Sequence, residues 1–434
     1  MTSSTRPLWQ GRALALLGIL LVAFSLRSAV ASLSPVVDHI DRDFALSSVV
    51  IGLIGAAPPV CFAIFGLITP LLERRFGLER VAVAAIAVMA AGLLLRGFAV
   101  DATTLLGATV VVFAGVGSGN VLLPPLVKKY FPDRLGVMMT LYSTTMAVST
   151  FLPPMLAVPV ADTLGWRVSL GMWGVCAALA LIPWLTLLVQ GKADVVVAAP
   201  VVEEPDQIAR PFAPDAVEVA TGPIAVSPAN PRIFGRLWRL PLAWALAIVF
   251  GASSTTAYVS FAWLPTLLVD VGGVTPATAG FLLSLFALVA LPCSMVVPIL
   301  VVRFQATRPL FFFAASAGLV GLAGLLFVPT LALAVWVMIY GLSAIMFPLS
   351  LVLLSIRART PESAVALSGF VQSIGYAIAA VFPLLIGMLH EVTGRWQVPL
   401  IVMAGVLIVS LPAGYIAGRR RTIEDEWERR HGRW

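Results

Sequence analysis

One arginine, Arg27, lies inside an apolar run that begins at Ala13, and no acidic residue follows it until Asp38. If this run crosses a membrane as a helix, Arg27 lies about 22 Å along it, too deep for its side chain to reach either surface easily. A charge near the bilayer centre costs roughly 2.5–3.5 kcal/mol on insertion scales, so it needs a partner. A backbone carbonyl, cavity water or a bound anion would provide one. We favour an anion, because a guanidinium holds a small planar anion by two parallel hydrogen bonds.

Six polar or aromatic side chains in other apolar runs have the chemistry to complete such a site: Asn120, Tyr142, Tyr258, Trp263, Gln372 and Tyr376. Gln372 and Tyr376 are four residues apart, so they share one face of a helix. Tyr258 and Trp263 fall near the depth of Arg27 if the prolines of their two runs are aligned. Each of the six could instead form an interhelical hydrogen bond or pack in the core. We predict that they line a polar cavity.

A second arginine within an apolar run, Arg96, gives a different expectation. It lies close to the end of its run and five residues before Asp101. A long side chain near a helix end can reach the interface or pair with a neighbouring acid. We therefore predict that Arg96 snorkels or pairs locally and has a structural role.

The composition of the chain predicts a membrane protein. Hydrophobic residues make up 60% of its 434 residues and charged residues only 11%, whereas soluble domains carry about 25%. The net charge of +7 does not indicate nucleic-acid binding, because the basic residues form short clusters between apolar runs. The three cysteines fall in separate runs without metal-ligand spacing, so the sequence predicts no disulfide framework, metal or cofactor.

Twelve apolar segments are long enough to cross the hydrocarbon core, which takes roughly 20 helical residues. The predicted segments are residues 13–37, 47–69, 81–100, 104–127, 136–160, 167–190, 242–268, 276–300, 310–328, 331–355, 364–388 and 396–417. With both termini in the cytoplasm, 23 of the 28 Lys and Arg residues lie inside, as the positive-inside rule requires. The outer loops instead carry acids: Asp38, Asp41, Asp43, Asp101, Asp162, Asp270 and Glu391.

The two halves of the chain match each other at a nearly constant offset. Gly52 matches Gly280 at an offset of 228, and Pro154 matches Pro383 at 229. Four more pairs follow the same offsets: Pro70 with Pro298, Pro132 with Pro361, Asp162 with Glu391 and Gly165 with Gly394. Ordered matches at one spacing indicate duplication. Because each copy has an even number of helices, we predict an all-α integral membrane fold of two parallel six-helix bundles with a substrate site between them.

The duplication also sets the domain boundaries. We predict an N-terminal bundle over residues 13–190, a cytoplasmic linker over 191–241, a C-terminal bundle over 242–417 and a cytoplasmic tail over 418–434 that is either helical or frayed. The linker is rich in Pro, Ala, Val and acidic residues without a clear period. The basic residues before the first apolar run are also typical of a secretory signal. We disfavour cleavage, because the duplicated unit needs that run as its first helix.

Several stretches in both halves carry a resemblance to a known family: "LRSAVASLSPVVDHI", "RRFGLERV", "GLLLRGF", "GNVLLPPLVKKYFPDR", "FPLSLVLLSIRARTP" and "SGFVQSIGYAIAAVFPLLIGMLHEVTGRW". On these stretches the chain resembles the major facilitator superfamily and, within it, the bacterial cyanate permease and nitroimidazole transporter family. The resemblance covers essentially the whole chain. It implies the major facilitator fold, transport by alternating access and a small anionic or weakly acidic substrate.

The loop after the second segment departs from the pattern of the resembled superfamily, Gly-x-Leu-Ala-Asp-Arg-x-Gly-Arg. It reads "PLLERRFGL", which places Pro70 at the first glycine and Arg74 at the aspartate. Glu73, one place earlier, would take the role of the missing acid, so we assign the gating loop to Glu73, Arg74, Arg75 and Gly77. The fifth segment contains no glycine, so it also lacks the Gly-Pro motif of drug/proton antiporters.

These observations predict a multi-pass transporter of the bacterial inner membrane that moves a cyanate-like or nitroimidazole-like solute. Export of drugs or organic acids is the alternative. An enzyme is disfavoured, because the three histidines lie at segment edges or in the tail and no acid–base pair lies at membrane depth. A transporter-like sensor would need a folded cytoplasmic domain, which the linker does not suggest. We expect the lipid bilayer and a small molecule as partners, no nucleic acid, possible proton coupling and a monomer.

Overall fold

The structure is a computed structural model that describes residues 12–131, 134–190, 235–432 and 434. Within these ranges every regular element is helical, and twelve helices are long and apolar enough to cross a membrane. The predicted all-α membrane fold is therefore confirmed. The spanning helices are α1 Ala13–Ala31, α2 Ser48–Phe76, α3 Leu78–Gly97, α4 Ala102–Tyr130, α5 Leu135–Leu164, α6 Trp166–Gln190, α7 Pro241–Gly272, α8 Pro276–Phe304, α9 Thr307–Phe327, α10 Leu333–Ile356 with a 3-10 turn at Leu342–Ile345, α11 Pro361–Thr393 and α12 Gln397–Ala417.

Polar caps and glycines set the ends of the long helices. The side chains of Ser47 and Asp101 accept hydrogen bonds from first-turn backbone N–H groups of α2 and α4. Gly165 and its repeat counterpart Gly394 end α5 and α11 with φ of 86° and 62°. Only a residue without a Cβ adopts these angles readily, so the matched glycines stop the same helix in each half.

The first helix is shorter than predicted. The predicted segment runs to residue 37, but α1 ends at Ala31 and a 3-10 turn, Ser34–Val36, follows it. Pro35 lies in that turn and has no N–H to continue a helical ladder. The chain nevertheless stays buried through Val37, so this break lies inside the protein.

The two halves meet through contacts that repeat the duplication. A Cβ at Gly52 of α2 would lie 2.9 Å from the carbonyl oxygen of Pro383 in α11. A Cβ at Gly280 of α8 would lie 2.7 Å from the carbonyl oxygen of Pro154 in α5. Each glycine of one half thus packs on the backbone at the matched proline of the other half, and an added methyl group would clash there. We call these two contacts the glycine–proline contacts.

A second symmetric pair of contacts lies at the end of the bundle that carries Asp43, Asp101, Asp162, Asp270 and Glu391, which we call the acidic face. Trp166 Nε1 donates to Asp43 Oδ2 at 2.9 Å, and Trp396 Nε1 donates to Asp270 Oδ2 at 2.8 Å. The hydrogen bonds from Trp166 and Arg167 hold the pKa of the Asp43 carboxyl below its usual range. The opposite end carries Arg80, Lys128, Lys129, Arg303, Arg308, Arg357 and Arg419–Arg421, and we call it the basic face.

The predicted local pairing of Arg96 is wrong. The Arg96 side chain is only 1% exposed, and it reaches across the bundle instead of towards Asp101, which caps α4. Its Nη1 donates to the carbonyl oxygen of Ala29 at 2.8 Å and its Nε to Thr109 Oγ1 at 3.1 Å. The guanidinium also lies 5.3 Å from the centroid of the Phe113 ring. These contacts tie α3 to α1 and α4, which is a structural role.

Replacing Arg96 with methionine is expected to lower the free energy of unfolding by about 2–4 kcal/mol, because the Ala29 carbonyl and the Thr109 hydroxyl lose a donor and the ring contact is lost. Unfolding of the purified protein in detergent measures this change. Arg80→Met is the matched control, since Arg80 is exposed on the same helix. Equal stability of the two variants would contradict the structural role of Arg96.

The tail folds as a helix, α13 Ile423–His431, which packs on the basic face of the second half. Asp425 and Glu428 form ion pairs with Arg359 between α10 and α11. Glu426 Oε2 accepts a hydrogen bond from the backbone N–H of Leu242 at 2.9 Å, next to the start of α7. Of the two expectations for the tail, the helical one agrees with the structure.

The predicted linker lies outside the described residues except for its last part, 235–241.

Candidate functional site

A cavity of about 560 Å³ lies between the two halves, and it is lined by eight helices. These are α1, α2, α4 and α5 of the first half and the matched α7, α8, α10 and α11 of the second. The remaining four spanning helices contribute no described residue to its wall. The cavity therefore lies on the pseudo-symmetry axis, where the duplication places a substrate site.

Six of the seven predicted binding residues line this cavity: Arg27, Asn120, Tyr142, Tyr258, Gln372 and Tyr376. Trp263 is not among the described lining residues. Its indole is 2% exposed and donates to the carbonyl oxygen of Pro383 at 2.8 Å, and its ring packs against Trp396. The structure thus gives Trp263 packing contacts near one glycine–proline contact and brings the other six residues together.

The Arg27 guanidinium lies among three tyrosines, Tyr142, Tyr258 and Tyr376, and interacts electrostatically with all three side chains. Arg27 is half-buried, and no carboxylate within the described ranges forms an ion pair with it. Neutral phenols donate hydrogen bonds without neutralising the arginine. The Tyr258 hydroxyl is hydrogen-bonded to Arg27 and to Tyr376. The arrangement therefore presents one positive charge, flanked by neutral phenols, to the cavity, which suits an anion.

Aromatic rings form one side of the site. The Phe62 ring packs edge-on against Tyr258 and Tyr376, with ring centroids 6.3 and 5.9 Å away. Phe250 packs against Tyr376 at 5.1 Å and against Phe347 at 5.7 Å. Edge-to-face packing at these distances fixes ring orientation. Tyr258 and Tyr376 are therefore held in place by neighbours from both halves.

Two buried polar atoms at the cavity wall have no hydrogen-bond partner among the described atoms. These are Asn120 Oδ1 on α4 and Ser254 Oγ on α7, whose residues are 9% and 2% exposed. An unpaired buried polar group is costly, and such groups are rare in native structures. The Ser254 hydroxyl can donate to a cavity occupant, whereas Asn120 Oδ1 only accepts, so an anion would bond to the Asn120 amide N–H. Gln372, by contrast, already donates from Nε2 to Ser368 Oγ at 2.7 Å.

Sequence reasoning missed the hydroxyl groups that α7 contributes to the cavity, those of Ser253, Ser254 and Thr256. A signal for them was present, because "SSTT" at 253–256 is a run of four hydroxyl residues inside an apolar helix. Such a run gives polar atoms all around the helix, so one face must meet another helix or a cavity.

The cavity is reached from the basic face and closed at the acidic face. On α2 and α8 the glycine–proline contacts at Gly52 and Gly280 precede the lining residues, which begin at Phe62 and Phe286. On α5 and α11 the lining residues end at Thr150 and Tyr376, before the contact prolines. All four helices thus pack across the halves on the acidic side and separate around the cavity on the basic side.

Comparison with known proteins identifies the fold and the family. The model of the Major Facilitator Superfamily matches residues 19–380, which is most of the chain. The chain belongs to the major facilitator superfamily. The match runs through both halves and includes each of the six cavity residues predicted from the sequence.

Two relatives within the superfamily share most of their length with this chain. The 2-nitroimidazole transporter of Escherichia coli (strain K12) is 31% identical over 425 residues, with 98% of this chain and 100% of the relative covered. The cyanate transport protein CynX of the same organism is 25% identical over 405 residues, with 91% and 96% covered. The predicted resemblance to these transporters is confirmed.

A solved structure supports the fold independently. The bacterial homologue of the human lysosomal transporter Spinster superposes with a TM-score of 0.72, with 98% of this chain and 99% of that chain covered. Its sequence identity is 16%, so the likeness concerns the fold alone.

The predicted gating loop lies between α2 and α3 on the basic face. Gly77 adopts φ of 88°, and its N–H donates to the carbonyl oxygen of Glu73 at 2.8 Å, which ends α2. Arg75 lies over the Phe76 ring at 5.3 Å, and the Arg74 side chain lies outside the described part of the chain. No ion pair of Glu73 is present within the described ranges. A gating role for Glu73, Arg74, Arg75 and Gly77 stays a prediction.

A different acid forms the charged contact at this corner. Glu79, at the start of α3, pairs with Lys129 and accepts a hydrogen bond from the Tyr130 hydroxyl at 3.2 Å. Lys129 and Tyr130 end α4, so this pair joins α3 to α4 on the basic face. The superfamily pattern did not point to Glu79, because it lies beyond the matched loop.

Replacing Asn120 with leucine is expected to raise the KM for transport roughly tenfold or more, because an anionic substrate loses a hydrogen bond from the Asn120 amide N–H, which is worth about 1.5–3 kcal/mol. The thermal midpoint of the variant should be unchanged or higher, since an unpaired buried oxygen is removed. Ser118→Ala, on the same helix, is the control: Ser118 accepts from Thr69 at 3.0 Å and is not among the described lining residues. A destabilised Asn120→Leu variant with normal KM would contradict the binding role.

Proposed function

We propose that the protein is a secondary or facilitative transporter that moves a small planar anion or weak acid across the bacterial inner membrane by alternating access. Arg27 binds the negative charge of the substrate. The hydroxyls of Tyr142 and Tyr376 donate hydrogen bonds to it, Tyr258 orients Arg27 and Tyr376, and Asn120 and Gln372 contact its polar edge. The observation that carries the proposal is the Arg27 guanidinium in the cavity between the two halves, which forms no ion pair with a described carboxylate.

The size and chemistry of the cavity favour an aromatic weak acid within this class. A volume of about 560 Å³ exceeds what a three-atom ion such as cyanate fills. The rings of Phe62, Phe286 and Phe347 line the same cavity, and aromatic walls stack planar rings. The 2-nitroimidazole relative handles such a ring. We therefore place a nitroimidazole-like anion first and a cyanate-like anion second.

The distribution of charge supports the predicted orientation of the protein in the membrane. Basic residues cluster at one face and acids at the other, which by the positive-inside rule supports a cytoplasmic basic face and cytoplasmic termini. In that orientation the described conformation is open to the cytoplasm. The substrate site then exchanges with the outside when the glycine–proline contacts separate and the basic side closes.

The described cavity wall contains no Asp, Glu or His side chain. A transporter of this kind needs no protein-borne proton if it works as a uniporter or exchanger of the anion, or if the weak acid takes up a proton in solution after its release. We propose that any link to the proton gradient arises through this protonation of the weak acid. We expect an uncoupler to abolish accumulation of the substrate in a pH gradient and to leave equilibrating exchange of the substrate intact.

Export of a drug or an organic acid remains the alternative function, because the aromatic wall also accommodates larger apolar solutes. Purified protein in liposomes separates the two. We expect entry of radiolabelled cyanate or of 2-nitroimidazole above protein-free liposomes, with mutual competition. No flux of either solute, together with efflux of a cationic drug, would overturn the proposal in favour of the exporter.

A further inference from the structure

A second cavity, of about 690 Å³, lies at the basic face between the start of α9 and the end of α12. It is separate from the central cavity and shares no lining residue with it. Four arginines line it: Arg308 on α9 and Arg419, Arg420 and Arg421 in the turn after α12. The proposed transport function uses none of these residues. We call it the arginine pocket.

The positive charge of the arginine pocket is not balanced by the nearby acids. The described lining contains no carboxylate. The acids of the neighbouring α13 form no ion pair with these four arginines: Asp425 and Glu428 pair with Arg359, Glu426 pairs with Arg430, and Glu424 accepts from the Arg359 backbone N–H. Burial and the like charge of Arg420 lower the pKa of Arg357 to about 10. Like charges held this close favour a bound anion.

Arg308 is positioned more firmly than a solvated surface arginine. Its guanidinium stacks on the Tyr415 ring at 4.3 Å, and its Nε is buried without a hydrogen-bond partner among the described atoms. The side chain lies against the backbone at Gly418, where an added Cβ would approach Arg308 Cγ to 2.4 Å. A stacked guanidinium has lost most of its rotamer freedom, so it binds an oxyanion at lower entropic cost.

The start of α9 adds a second attraction for an anion. Ala306 precedes the helix and supplies no side-chain cap, so first-turn N–H groups have no capping partner. Uncapped N–H groups and the helix dipole favour negative charge at a helix N-terminus. The buried Nε of Arg308, the second residue of α9, lies at this same N-terminal end of the helix.

The surroundings of the pocket point to a lipid. The pocket lies where three spanning helices, α8, α9 and α12, meet the basic face. Phe304, Phe312 and Tyr415 are exposed nearby on those helices and face outwards from the bundle. We propose that the arginine pocket binds the phosphate group of an anionic phospholipid, with the acyl chains lying along these aromatic side chains. Basic pockets between spanning helices suit such headgroups.

Native mass spectrometry of the intact protein in detergent tests the assignment. The probes are phosphatidylglycerol, phosphatidylcholine and inorganic phosphate at equal concentration. We expect phosphatidylglycerol adducts on the wild type and at least a fivefold lower occupancy for Arg308→Gln/Arg419→Gln. The control Arg80→Gln/Lys128→Gln removes two exposed charges from the same face of the first half and should bind as the wild type does.

Each other outcome overturns part or all of the proposal. If phosphatidylglycerol adducts fall equally in the pocket and control variants, or fall in neither, the arginine pocket is not the binding site. Adducts with inorganic phosphate equal to those with phosphatidylglycerol make it a free-phosphate site, and equal binding of phosphatidylcholine removes the charge argument. If the first variant does not fold, Arg420→Gln/Arg421→Gln gives the same comparison, because both residues lie in the exposed turn after α12.

Discussion

Transport by the Arg27→Gln variant is expected to fall by at least two orders of magnitude, while the variant folds and inserts normally. A charged group that bonds the substrate through two hydrogen bonds contributes about 1.5–3 kcal/mol per bond, and each 1.4 kcal/mol is a factor of ten. Folding should be spared, because no described carboxylate depends on Arg27 for an ion pair. Initial rates in liposomes, with thermal midpoints measured in parallel, give both quantities.

Arg27→Lys is the conservative control for this result. Lysine keeps the charge and loses the planar fork, so roughly a tenfold loss is expected, mainly in KM. The opposite pattern is predicted at Arg96, where the arginine supports packing and its loss lowers stability. If Arg27→Gln retains transport, or fails only because it unfolds, Arg27 is a structural residue and the anion site is wrong.

Replacing Gly280 with valine is expected to disfavour closure of the acidic face and to reduce transport about fivefold or more. Its Cβ alone would lie 2.7 Å from the Pro154 carbonyl oxygen, and rigid backbone cannot yield as a flexible side chain does. Overpacking of this kind costs about 1–3 kcal/mol, which shifts a two-state equilibrium about fivefold to 150-fold. The same change at Gly52 should act through the matched contact at Pro383.

Distances between spin labels at Leu164 and Val392 report this closure, because both residues are exposed at the acidic face in different halves. We expect Gly280→Val to shift the distribution to longer distances, in a background without Cys61, Cys176 and Cys293. Gly107→Val is the matched control, since nothing lies within 4 Å of a Cβ at that glycine. Unchanged distances with reduced transport would show that the contact is not the gate.

Part of this structure could be predicted because charge and repetition leave strong marks in a sequence. A lone Arg27 in an apolar run identifies a polar environment, whatever the detailed packing. The matched glycines and prolines mark positions where the two halves touch, and Gly52 and Gly280 are found in such contacts. The ends of the apolar segments agree with the helix ends to within five residues, except where Pro35 breaks the first segment and where α2 continues from residue 69 to Phe76.

The predictions for Trp263 and Arg96 failed for a common reason: spacing along one helix does not reveal which neighbouring helix or cavity a side chain faces. Trp263 follows Tyr258 by five residues, which turns it roughly 140° around α7 and away from the cavity. Alignment of the prolines predicted the depth of Trp263 in the membrane, but it did not predict the direction in which the side chain points from α7. The partners of Arg96 likewise lie on other helices, at Ala29 and Thr109, and spacing along one segment does not reveal them.

Equilibrium binding of two related rings tests the central claim most directly. 2-Nitroimidazole ionises by losing its ring proton, whereas 1-methyl-2-nitroimidazole has no such proton and stays neutral. Titration calorimetry of the purified wild type should show binding of 2-nitroimidazole that tightens as pH rises and the anion forms, and none of the methylated ring. Equal binding of the two rings, or binding that survives in Arg27→Gln, would contradict an anion site at Arg27.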